Sequence, residues 1–179
     1  MRRLIAAAMV AAISSSVAAA TPRDGAHDFD FNLGKWHTSI ERFADPFAKP
    51  NAATHLAGTV TVRPVWGGRA LLEEIEADGP NGHWEGLTLF LYDPTARQWS
   101  QNYANAAQGQ FDSAPTIGEK RGEAIDLYSQ DVFKGRSILV RGRWADIRPD
   151  SHSYEESYSD DGGRSWKRAF FARLTRAGS

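Results

Sequence analysis

The chain has 179 residues, of which 41% are apolar and 24% charged, with 21 Lys and Arg against 22 Asp and Glu for a formal charge of −1. No basic run interrupts that balance, which argues against nucleic acid or another polyanion as partner. The absence of cysteine excludes disulfides, thiol catalysis, thiolate metal sites and iron–sulfur clusters.

Met1-Arg2-Arg3 followed by the apolar residues 4–13 and the small-residue run Ala18-Ala19-Ala20 has the form of a cleaved export signal. Its apolar core is too short to span a bilayer, so no transmembrane anchor is expected. Residues 1–20 are therefore read as a signal peptide and residues 21–179 as one domain, periplasmic or secreted. Both methionines fall in the signal, while all 6 Trp, 5 Tyr, 9 Phe and 16 Gly follow it. An aromatic, Gly-rich segment without a helical period points to an all-β domain.

In chain order, residues 35–43 alternate as a first strand, and 44–54, with Pro46 and Pro50, form a loop long enough for a lid. Residues 55–65 include the alternating Thr59-Val60-Thr61-Val62. Gly67-Gly68 turns into 69–77, Asp78-Gly79-Pro80-Asn81-Gly82 turns into 83–92, and 93–96 turn into 97–105. Residues 106–122 are less regular. Strands at 123–133, 136–147, 151–159 and 165–175 complete the set. Short links make sequence neighbours pair antiparallel, and closure removes the exposed edges of so wide a sheet. The expected fold is an antiparallel up-and-down β-barrel of nine or ten strands, with a two-layer sandwich as the alternative.

Gly34-x-Trp36 before the first strand resembles the opening motif of the calycins, the lipocalin-like barrels. That resemblance implies that Trp36 plugs one end and a basic residue of the last strand packs over it, with Arg173 preferred for that place and Arg168 behind it. The segments HDFDFxxGxW, Trp66-Gly67-Gly68-Arg69, Glu85-Gly86, Tyr92-Asp93, Trp99 and SDDGGxSW are similar to a group of uncharacterised exported bacterial proteins with lipocalin-like barrels. The likeness runs from His27 to Arg176 and implies a fold and an exported habit, but no catalytic residues. Ser159-Asp160-Asp161-Gly162-Gly163-Arg164-Ser165-Trp166 also matches the Asp-box of sialidase-type propellers. One copy in so short a chain reads instead as a hairpin in which Asp161 binds turn amides, Gly163 takes φ > 0 and Trp166 covers the turn.

Candidate site residues follow from face and chemistry. His27, His37, His55, His83 and His152 lie on separate segments without metal-ligand spacing, so no metal or cofactor is expected. Glu74 and Glu76 share one strand face and Glu73 takes the other; whichever points inward would have a raised pKa and could serve as acid or base. Arg141 and Arg143 share a face, as do Tyr154 and Glu156 across the next turn. They read either as a carboxylate anchor inside the barrel or as an ion-pair ladder outside it. The expected function is non-covalent binding of a small, largely apolar ligand, carboxylate-bearing if the arginines face inward. Trp84, Trp99 and Tyr103 would line the cavity and Arg141, Arg143 and Tyr154 anchor the ligand. The rivals are an isomerase, cyclase or hydrolase using Glu74 or Glu76 with a histidine, and an envelope interaction module with a filled core.

Overall fold

The structure is a computed structural model describing residues 24–178; the expected signal peptide, residues 1–20, lies outside the described residues. Ten strands follow a 3-10 turn at Asp30–Asn32: β1 Gly34–Phe43, β2 Ala53–Val65, β3 Ala70–Gly79, β4 Gly82–Asp93, β5 Gln98–Asn105, β6 Thr116–Arg121, β7 Ala124–Phe133, β8 Arg136–Arg148, β9 Ser151–Ser159 and β10 Lys167–Arg176. A second such turn, Trp66–Gly68, lies between β2 and β3. Each pairs antiparallel with its sequence neighbours, and β1 also pairs with β10, so the sheet closes on itself. Closure satisfies both edges, which is why a meander of this width is a barrel and not a sandwich.

The irregular stretch resolves into a long connection, residues 106–115, and the short β6. Gly109 and Pro115 break the alternation there, and β6 meets β5 only from Trp99↔Gly118 to Gln101↔Thr116. Among the described residues no helix is long and apolar enough to cross a membrane.

One end of the barrel is sealed by aromatic rings. Residues 24–33 fold under it, with Phe29 fully buried and its ring centroid 4.9 Å from Phe90, 5.1 Å from Trp99 and 5.9 Å from Trp144. Both deepest indoles find partners: Trp36 Nε1 donates to the Asn32 carbonyl at 2.8 Å, and Trp99 Nε1 to the Gly25 carbonyl at 2.8 Å. Burying an indole without such an acceptor would carry a desolvation cost. Tyr92 ties the segment down, its hydroxyl donating to Asp24 and accepting from the Gly25 amide.

The residue over Trp36 is Arg176, not Arg173. In the β1–β10 register Trp36 stands opposite Arg176, whose guanidinium lies 4.0 Å from the ring centroid and donates to the carbonyls of Leu33 and Pro149. Arg173 points outward because Ala172 and Leu174 of the same strand are buried inward. Gly34 makes room for the arginine: its φ is 115°, and a Cβ there would stand 2.9 Å from Arg176 Nη1. Arg176→Ala is expected to cost about 1–2 kcal/mol through two charge-assisted hydrogen bonds and the stacking. Arg173→Ala should stay within about 0.5 kcal/mol; urea unfolding of the two variants checks the difference.

The Asp-box segment is the β9–β10 hairpin. Asp161 accepts from the Ser165 amide and hydroxyl and from the Ser159 hydroxyl, which hold its carboxyl well below the ordinary carboxylate range. Gly162 and Gly163 take φ of 76° and 86°. Trp166 lies beside Gly163 on the outer wall, under the Arg141 guanidinium.

Candidate functional site

Above the plug the barrel is hollow. A cavity of about 370 Å³ opens at the opposite end, which speaks against a filled core. Alternation along each strand assigns its lining by depth. The floor carries Thr38, Val60, Glu73, Thr88, Gln101, Trp144 and Tyr154; Ile75, Trp84, Tyr103, Phe170 and Ala172 form the walls. Arg42, Asp112, Asp131, Phe133, Glu156 and Tyr158 stand toward the mouth.

The floor is a polar network set on the aromatic plug. Trp144 Nε1 donates to Gln101 Oε1 at 3.1 Å, and Gln101 Nε2 donates to the Tyr154 hydroxyl at 3.1 Å. Asn32 Nδ2 donates to Glu73 Oε2 at 3.0 Å from beneath. Burial raises the Glu73 carboxyl above its usual range, opposed by its bonds to Asn32 and Thr88. Tyr103 is pushed up to about 12 and Tyr154 and Tyr158 also rise, all chiefly through burial, so these phenols stay protonated as donors. At the mouth Tyr158 donates to Glu156 at 2.8 Å.

Residues 44–52 lie at the open end, where Ala44 lines the cavity. Their connection leaves β1, reaches past β10 and β9, and is held to the β7–β8 turn by the Lys134 Nζ–Asp45 ion pair at 2.9 Å. Phe47 sits 6.2 Å from the Phe133 ring and beneath the Arg136 guanidinium.

Of the residues singled out from the sequence, Trp84, Tyr103 and Tyr154 line this cavity. Trp99 lies below it in the plug. Arg141 and Arg143 are on the outside. Directly opposed residues share a face, and Arg143 stands opposite Glu155, not Glu156, so the arginines join the outer set. Arg143 donates to both Asp126 oxygens at 3.1 Å, and Arg141 lies 3.6 Å from Glu155. The carboxylate anchor thereby loses its two cations. Glu74 and Glu76 are also exposed on the outer wall, and the inward glutamate of that strand is Glu73. Its face neighbours Leu71, Ile75 and Ala77 are the signal that could have found it. His152 is inward but sealed in the plug between Phe31, Trp36 and Trp144, not on the cavity surface. Glu74 or Glu76 acting with a histidine therefore has no support in the geometry.

No family model matches the chain, and no curated protein matches it. The S-type phycobiliprotein lyase of Guillardia theta superimposes with a TM-score of 0.58 over 86% of this chain and 92% of its own, at 12% identity. The fold is lipocalin-like. A de novo fluorescence-activating β-barrel (TM-score 0.43, 14% identity, 87% of this chain and 100% of that one) and a redesigned β-barrel (0.46, 12%, 87% and 96%) also align.

Proposed function

We propose that this barrel binds one small, largely apolar ligand non-covalently in its lumen, and that it does so in the periplasm or outside the cell. The carrying observation is the open cavity of about 370 Å³ above a sealed floor, walled by Trp84, Tyr103 and Phe170. That volume lies at the small end of the range of ligand pockets and suits a body of two or three fused rings. Export is supported by the form of residues 1–20.

N-phenyl-1-naphthylamine, which fluoresces strongly in apolar surroundings, tests the reading. Wild-type protein is expected to enhance its emission with saturable, micromolar affinity and to transfer energy from Trp84. Ala172→Phe fills the lumen from a wall position and should weaken binding at least tenfold, whereas Ala57→Phe on the exposed outer face should not change it. A wild-type protein that leaves the probe dark overturns the proposal.

A further inference from the structure

We infer that the lumenal ligand is an amphipathic organic cation, an aromatic or alicyclic body carrying an ammonium group that lies at the mouth. The inference rests on the lumen being the binding site and adds the ligand's charge. Among the described residues, four carboxyl groups line the cavity, Glu73, Asp112, Asp131 and Glu156, against one cation, Arg42. Glu73 sits at the floor and is held toward its neutral form by burial. The other three gather toward the opening, where burial also raises Glu156 and Arg42 faces it and Tyr103, so the charge that meets a guest rests chiefly on Asp131 and Asp112. Burial and the charge of Asp131 both raise the Asp112 carboxyl, a repulsion that an arriving cation relieves.

Aromatic faces accompany those charges. Phe133 and Tyr158 lie 5.4 Å apart at a tilt of 52° beside Glu156, and Trp84 and Phe170 lie 6.3 Å apart on the wall below. An ammonium at this level meets carboxylates and ring faces together, the pairing that recognises substituted amines. A separate observation at the floor also points to a guest. Thr38 is only 4% exposed, lines the same cavity, and its Oγ1 has no hydrogen-bond partner. Buried hydroxyls are rarely left so, and this one is placed to meet a polar atom at the inner end of the bound molecule. Among the described residues no three His, Asp or Glu side chains are grouped to hold a metal ion, so the cation is organic.

Three naphthalenes of near-equal size test this by calorimetry at pH 7: 1-naphthylmethylamine, 1-naphthylmethanol and 1-naphthoate. The amine is expected to bind at least tenfold tighter than the alcohol, a difference of about 1.4 kcal/mol, with the acid weakest. Glu156→Gln combined with Asp131→Asn should bring the ratio of amine to alcohol affinity from tenfold or more down to near one. Asp131→Asn alone, at an exposed position, gives a smaller loss and serves if the double variant fails to fold. If the alcohol binds and the amine binds no better, or the acid binds best, the charge assignment is wrong while lumenal binding stands. Silence from all three, with N-phenyl-1-naphthylamine also dark, refutes both. A calcium titration that gives heat would replace the organic cation by a metal ion.

Discussion

Trp36→Ala is expected to lower stability by about 3–5 kcal/mol and the thermal midpoint by on the order of 10 °C. The indole is fully buried, donates to the Asn32 carbonyl, touches His152 at 4.4 Å between centroids and carries Arg176 on its face. Its loss leaves a void at the sealed end, an unpaired carbonyl and an arginine without its platform. Nothing nearby can collapse into the gap, because the neighbouring rings are held by the barrel wall. Trp66 supplies the control: it is 64% exposed, and Trp66→Ala should change stability by no more than about 0.5 kcal/mol. Thermal unfolding followed by circular dichroism measures both. A loss below about 1 kcal/mol at Trp36 would mean that the aromatic seal is not what holds that end.

The second large effect is acid sensitivity through His152. Burial, aided by the charge of Arg176, depresses this imidazole to about 4, and neither ring nitrogen has a hydrogen-bond partner. Between pH 6.5 and about 4 the unfolded chain binds a proton that the folded chain refuses. The neutral ring therefore contributes stability that is present above 6.5 and lost as pH falls through that window, on the order of 3 kcal/mol in all. His152→Phe keeps a flat ring among Phe31, Trp36 and Trp144 and cannot titrate. Urea unfolding at pH 7.5 and pH 4 should show the wild type losing about 3 kcal/mol more than the variant. Equal losses would show that His152 is not the group responsible. Glu73 works in the opposite sense, since its raised carboxyl favours the folded state toward acid, and the comparison between variants cancels it.

Much of the fold was legible because turn chemistry and alternation are local. Ser151–Ser159 was readable to the residue, and β3, β4 and β8 to within a residue or two at each end. β6 was not, because loop 106–115 carries no period to read. The site was legible only in part, for a different reason. Alternation sorts a strand into two faces without saying which is inside, and β4 is apolar on both, with Trp84 facing the lumen, Phe90 turned inward into the plug, and Leu87, Leu89 and Leu91 half-buried on the outer wall. Arg141 and Arg143 depended on which residue of β9 they oppose, and a one-residue difference exchanged Glu156 for Glu155. The partner of Trp36 depended on the pairing of the first strand with the last, although the parity of Ala172 and Leu174 already set Arg173 facing outward. Asp112 reaches the cavity from an irregular loop and left no local trace.

The β1–β10 seam sets an order of events for a nascent chain. Leu33 and Arg176 are joined by a hydrogen bond across 143 positions, so the first strand waits, one flank bare, until the last has been made. Contacts that distant close slowly, and an unzipped flank is where strays from other molecules attach. Refolding from dilute denaturant should accordingly give monomer in good yield and aggregate as concentration rises, with the loss traced to the interval before the two termini meet.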